Sequence, residues 1–118
     1  MSGFTSGKTG FTPARALRLW HDVALTRVRG QVGDLTERQM LILLTIYLET
    51  PPHTVRGLAA KLGVTKPVIT RALDTMGAMG LVSRKRDDND RRNVIIQRTV
   101  DGAHYVEALA ETIVDHAK

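Results

Sequence analysis

The chain has 118 residues, 42% of them apolar and 25% charged, which is the size and composition of one soluble domain with a modest core. It has no cysteine, so disulfides, thiolate metal sites and cysteine redox switching are excluded. Its longest apolar run, Met40–Leu48, is broken by Thr45 and too short to span a bilayer, and MSGFTSGKTGFTP contains no signal core, so the expected setting is a bacterial or archaeal cytoplasm with no membrane partner. The net charge of +5 is concentrated: Thr54–Val100 holds ten cations against four acids, and the remainder is close to neutral, which suggests one half facing a polyanion.

Residues 1–11 are rich in Gly, Ser and Thr and read as a flexible arm. Thr12 before Pro13 supplies a hydroxyl cap and then proline at the first helical position. Leu17, Trp20, Ala24 and Val28 follow at helical spacing, which predicts a helix over Pro13–Arg29 ended by Gly30 and Gly33. Thr36 and Gln39 form a T-x-x-Q capping box for a second helix carrying Met40, Leu43, Leu44, Tyr47 and Leu48. That helix is apolar on most sides and is expected at the buried centre, stopped by Pro51 and Pro52. Thr54 should cap a short helix with Val55, Leu58, Ala59 and Leu62 inward, ended by a left-handed Gly63, with Val64 buried in the turn. Thr65 should cap the next helix, with Pro67 in its first turn, Val68, Ala72, Leu73 and Met76 inward, and Gly80 as the stop.

The unit LAAKLGVTKPVITRALDTMG is therefore a helix-turn-helix, within residues 54–80. Next comes LVSRKRDDNDRRNVIIQR, two strand-like runs, Leu81–Arg86 and Asn93–Arg98, around a polar tip at Asp87–Arg92. Gly102 introduces a last helix to residue 117, with Val106, Leu109, Ala110, Ile113, Val114 and Ala117 on one stripe and Glu107, Glu111 and Asp115 opposite. The expected fold class is mainly α with a small β-hairpin wing, a winged helix-turn-helix in a single domain over 12–118, with the wing at 81–100.

Such a fold puts its second helix in the major groove of double-stranded DNA, N-terminal residues first. Here those are Thr65, Lys66, Thr70 and Arg71, and Arg71 is suited to bidentate pairing with guanine. Thr54 and Arg56, at the start of the preceding helix, are candidates for phosphate. Arg84, Lys85 and Arg86 alternate in direction along a strand, so Arg84 and Arg86 share a face and Lys85 takes the other. Arg91 and Arg92 at the tip can enter a narrow minor groove, while Asp90 is expected to act locally, accepting wing N–H groups or fixing an arginine fork. Any single surface cation is as well explained by solvation. Solvation explains the whole set less well, because it makes the charge asymmetry, the helix-turn-helix and the wing coincidences. His21, His53, His104 and His116 lack metal-ligand spacing, and no catalytic constellation is present, so neither an enzyme nor a cofactor is expected. The rival reading is a winged-helix adaptor that binds protein, since fold does not fix function.

From about Leu35 to Gly102 the chain resembles the MarR family of bacterial winged-helix transcription regulators. The matching residues are Leu35-Thr36, Leu58-Ala59, Leu62-Gly63, Thr65-Lys66-Pro67-Val68-Ile69-Thr70-Arg71, Gly80-Leu81-Val82 with Arg84, Asp90-Arg91-Arg92, and Thr99 with Gly102. The resemblance implies sequence-specific regulation of transcription by a homodimer paired through the helices at 13–29 and 102–117. It also admits a small aromatic effector, which no residue pattern here supports. Two features depart from the family pattern. Arg98 stands where leucine is usual, which should leave that strand end more exposed. The helical lobe that makes the family's dimer is short, with Lys118 only sixteen residues past Gly102.

Overall fold

The computed structural model describes residues 10–30 and 35–118. Most of the expected arm, and Gly33, lie outside the described residues. Among the described residues are five helices and three short strands: α1 (Pro13–Arg29), α2 (Glu37–Leu48), β1 (His53–Thr54), α3 (Val55–Leu62), α4 (Lys66–Ala78), β2 (Val82–Arg86), β3 (Val94–Arg98) and α5 (Val100–Ala117). They divide into two compact units: Leu35–Glu107, and the described residues before Leu35 together with Ala108–Lys118.

In the larger unit the strands form an antiparallel sheet in the order β1-β3-β2, with α4 packed on α2, α3 and β2. The centre of the core is α2, as its all-round apolar sequence predicts. Ile42, Leu43 and Ile46 are fully buried there, as are Ile69, Leu73 and Met76 on α4, which packs against it. Each such side chain contributes about 1.5–3 kcal/mol on burial. The inward edge of α4 differs from expectation by one position: Ile69 is fully buried and Val68 only half-buried. The spacing 69, 72, 73, 76 makes the tighter stripe. Val64 is likewise half-buried rather than enclosed, and Leu48 is 75% exposed.

The caps explain most boundaries. Thr12 accepts from the Arg15 N–H (3.1 Å) and the Thr36–Gln39 box closes in both directions (3.1 and 2.9 Å). Thr54 accepts from the Gly57 N–H at 2.9 Å, and Gly63 ends α3 at φ 69°. At the end of α4, Gly80 takes φ 78°; its N–H bonds the Gly77 carbonyl and the Leu81 N–H bonds the Met76 carbonyl, each at 3.0 Å, which is the Schellman arrangement.

The last helix starts two residues before the expected Gly102, because Thr99 is its cap: Thr99 Oγ1 accepts from the Gly102 N–H (2.9 Å) and donates to the Gly80 carbonyl (2.7 Å). Gly102 serves another purpose. A Cβ there would collide with the Tyr47 hydroxyl and the Leu81 carbonyl. That hydroxyl accepts from the Thr99 N–H (3.0 Å) and lies 2.9 Å from the Leu81 carbonyl and 3.2 Å from the Thr99 carbonyl. It has one proton, and the shorter contact to Leu81 is the better acceptor. The Thr-x-x-Gly ending thus joins α2, the end of α4 and the return of the wing into α5.

Arg98 is exposed, as its departure from leucine suggests, but its guanidinium is engaged. Its Nε donates to the Ile46 carbonyl (2.8 Å), its Nη2 to the Glu49 carbonyl (3.1 Å), and its guanidinium lies 5.7 Å from the Tyr47 ring centre. It caps the C-terminal end of α2, where carbonyls lack helical partners and the helix dipole favours a cation.

In the smaller unit, α1 and the end of α5 meet at Thr26 and His116, whose Oγ1 and Nε2 are 2.9 Å apart. Thr26 gives its proton to the Asp22 carbonyl at 3.0 Å, so His116 Nε2–H is the donor in that contact. The hydrogen bond from His21 Nδ1 (3.0 Å), aided by the Arg18 charge, holds the Asp22 carboxyl below the ordinary carboxylate range. Val23 is buried, whereas Leu17, Trp20 and Val28 are 56%, 54% and 66% exposed, so the stripe read from the sequence faces outward.

Candidate nucleic-acid interface

The turn between α3 and α4 leaves the start of α4 open. Thr65 stands at the cap position but makes no capping bond with its side chain, contrary to the expectation that it would. The cause is local. A capping hydroxyl accepts from the second or third helical N–H. The second residue is Pro67, which has none, and the third, Val68, donates to the Thr65 backbone carbonyl at 3.1 Å. The Thr65 hydroxyl is therefore available at a helix start.

Beyond it, Lys66, Thr70 and Arg71 are exposed while Ile69, Ala72 and Leu73 face the core. Among the described residues, the Lys66 and Arg71 side chains enter none of the ion pairs, which join Arg18 and His21 to Asp22, Lys61 to Glu49, Arg84 to Asp74, Arg92 to Asp90, and Lys118 to Asp115. Arg56 is exposed in the first turn of α3 and is equally uncommitted. Thr54 is half-buried and one of its lone pairs is spent on the cap.

The wing cations fall into two groups. The β2–β3 register pairs Arg84 with Ile96 and Arg86 with Val94, and Lys85 with Ile95. Ile96 is buried, so Arg84 and Arg86 share the face turned toward the helices and Lys85 takes the other. Arg84 Nη1 lies 2.9 Å from Asp74 Oδ1 on α4. Arg86 Nη1 donates to the Arg91 carbonyl at 2.7 Å, tying strand to tip. Lys85 and the Arg91 side chain make no such bond among the described residues.

The tip is closed by its own acids and backbone. The Asn93 N–H bonds the Asp90 carbonyl (2.9 Å), and Asp87 Oδ1 accepts from the Asn89 N–H (2.9 Å). Asp90 Oδ1 accepts from the Arg92 N–H (3.1 Å) and from Arg92 Nε (3.4 Å), so it supports the turn and steers an arginine at once. The Arg92 side chain is still 90% exposed.

Asp74 and Arg98 are two polar residues whose roles sequence reasoning missed. Asp74 is the sole acid between Thr54 and Arg86, three residues past Arg71 on the exposed row, and that isolation was the available signal. A cavity of about 200 Å³ beside α3 is lined by Thr45, Glu49, His53, Thr54 and Lys61 among others. Its polar groups are taken up internally: Thr45 donates to Leu41, His53 bonds the Glu49 carbonyl and Lys61 pairs with the Glu49 carboxylate. Among the described residues no cluster of three His, Asp or Glu could hold a metal, and no helix is long and apolar enough to cross a membrane.

Solved structures share this architecture. The transcriptional regulator BldR from Sulfolobus solfataricus is 30% identical, with 86% of this chain and 73% of that one covered at a TM-score of 0.62. MarR is 27% identical, with 88% and 77% covered at 0.67. Overoxidized AbfR bound to DNA is 27% identical, with 86% and 71% covered at 0.65. The chain spans between 71% and 77% of these three solved chains. The MarR family model matches residues 35–94, from the start of α2 through the helix-turn-helix and into the wing, and the chain therefore belongs to the MarR family of winged-helix transcriptional regulators.

Proposed function

We propose that this protein binds operator DNA sequence-specifically, with α4 in the major groove and the β2–β3 wing on the backbone and minor groove. Lys66, Thr65, Thr70 and Arg71 face the bases, Arg56 and Thr54 the phosphates beside them, and Lys85, Arg91 and Arg92 the wing-side backbone. Arg84, Arg86 and Asp90 shape that surface through their internal bonds. The observation that carries the reading is the open start of α4, with an uncapped Thr65 hydroxyl beside unpaired Lys66 and Arg71, next to a wing whose Arg92 is almost fully exposed. Structured but uncommitted donors are what groove recognition needs. DNA-bound AbfR supports duplex DNA as the partner class. A homodimer pairing through α1 and α5 would match a two-fold operator and cover the exposed Leu17, Trp20, Val28 and Val114. The site of action is then the cytoplasm, where such a genome lies, and no effector enters this reading.

The test is a pair of variants assayed by fluorescence anisotropy on a selected operator and on random duplex. Arg92→Ala should weaken both, with a salt slope shallower by about 0.9. Arg71→Ala should cost about 1–3 kcal/mol on the operator and little on random duplex. Wild-type protein that shows no salt-dependent affinity for duplex would refute the reading and leave the adaptor role.

A further inference from the structure

We propose that Asp74 is a specificity-determining residue, which by pairing with Arg84 withholds one wing cation from phosphate and keeps binding to unrelated duplex weak. The inference rests on the DNA-binding reading above. Asp74 lies on the same exposed row of α4 as Thr70 and Arg71, four and three residues earlier, so it shares the face turned toward DNA. A carboxylate there is repelled by a polyanion. It is nonetheless the single acid among the seven cations from Arg56 to Arg86.

The pairing decides what that acid does. Arg84 Nη1 is 2.9 Å from Asp74 Oδ1, and the Arg84 side chain is 34% exposed against 61% for Asp74. Arg84 therefore lies down on α4, over the side-chain-free surface at Gly77, where a Cβ would sit 4.0 Å from Arg84 Nη2. Lys66, Arg71, Lys85 and Arg91 have no such partner among the described residues. An ion pair this exposed adds little to folding, so its consequence is better sought in binding. Each cation free to reach phosphate strengthens binding to every sequence alike. Specificity is a ratio taken against the vast excess of unrelated sites, so removing a sequence-blind contact raises it. The Asp74–Arg84 pair removes one from a face that otherwise carries several.

The test is a salt titration of the full chain with a random-sequence 20-base-pair duplex, comparing wild type, Asp74→Asn and Asp74→Asn/Arg84→Gln. Asparagine keeps the shape of an exposed side chain and releases the arginine. Asp74→Asn should bind random duplex roughly fivefold more tightly near physiological salt, with a slope steeper by about 0.9, the worth of one added phosphate contact. The double variant should return to the wild-type slope. An Asp74→Asn slope equal to wild type overturns the proposal. So does a double variant that keeps the steeper slope, since the acid would then act by its own charge without Arg84. Wild-type protein that does not bind duplex at all sinks the DNA-binding reading, whereas wild-type binding with an unmoved Asp74→Asn slope sinks only the role of Asp74.

Discussion

Tyr47→Phe removes one oxygen atom and leaves the ring. That oxygen is the acceptor for the Thr99 N–H at 3.0 Å and the donor facing the Leu81 carbonyl at 2.9 Å. Thr99 is half-buried and Leu81 buried, so water does not freely replace the lost partner. A buried group left unsatisfied costs about 1–3 kcal/mol, and a neutral hydrogen bond contributes about 1 kcal/mol net, which together place the loss near 2–3 kcal/mol. In a unit of this size each kcal/mol moves Tm by about 4–8 °C, so a fall of roughly 10 °C or more is expected. Urea unfolding followed by circular dichroism gives the free energy. Amide exchange at Thr99 gives the local consequence, and its protection should drop more than that of residues in the middle of α2. A loss below about 0.5 kcal/mol with Thr99 protection unchanged would refute the argument that this hydroxyl joins the wing, α4 and α5.

Two further outcomes follow from the polar contacts. Arg98→Leu installs the residue usual in the family and removes both guanidinium bonds to the Ile46 and Glu49 carbonyls. Because Arg98 is largely exposed, a loss of about 1–2 kcal/mol is expected, smaller in high salt, and a leucine variant at least as stable as wild type by urea unfolding would contradict the capping role. For Asp22, the lowered carboxyl means the folded state binds its proton less readily than the unfolded chain. Its stabilising contribution is present above the ordinary carboxylate range and is lost as pH falls through the lowered value. His21→Ala removes the largest cause, so an NMR titration should find the Asp22 carboxyl returning toward the ordinary range, and an unmoved midpoint would show that the His21 bond is not responsible.

The parts of the fold legible in the sequence were those set by short-range chemistry. Thr12-Pro13 and the Thr36–Gln39 box mark helix starts through bonds three residues long, and α1 accordingly runs over the expected Pro13–Arg29. Gly63 and Gly80 mark stops because left-handed backbone suits glycine. The structure departs from the sequence pattern where a local signal competes with another or serves a distant contact. Thr65 reads as a cap, yet Pro67 removes one of the two donors it needs. Gly102 reads as a helix start, yet its missing side chain makes room for a tyrosine hydroxyl 55 positions earlier in the chain.

The same division runs through the candidate interface. Charge is a property of the sequence, so the basic helix-turn-helix and hairpin were legible as a set. Pairing is a property of strand face and register. Arg84, Lys85 and Arg86 are three consecutive cations, indistinguishable by composition, but the alternation of β2 and its register with β3 send Arg84 to Asp74, Arg86 to the Arg91 carbonyl, and Lys85 to the opposite face. Counting cations therefore overstates the charge the protein can offer a duplex. A salt slope counts only the cations that reach phosphate, so it can separate Lys85, Arg91 and Arg92, which stays 90% exposed despite its 3.4 Å contact with Asp90, from Arg84 and Arg86, which the fold holds more closely.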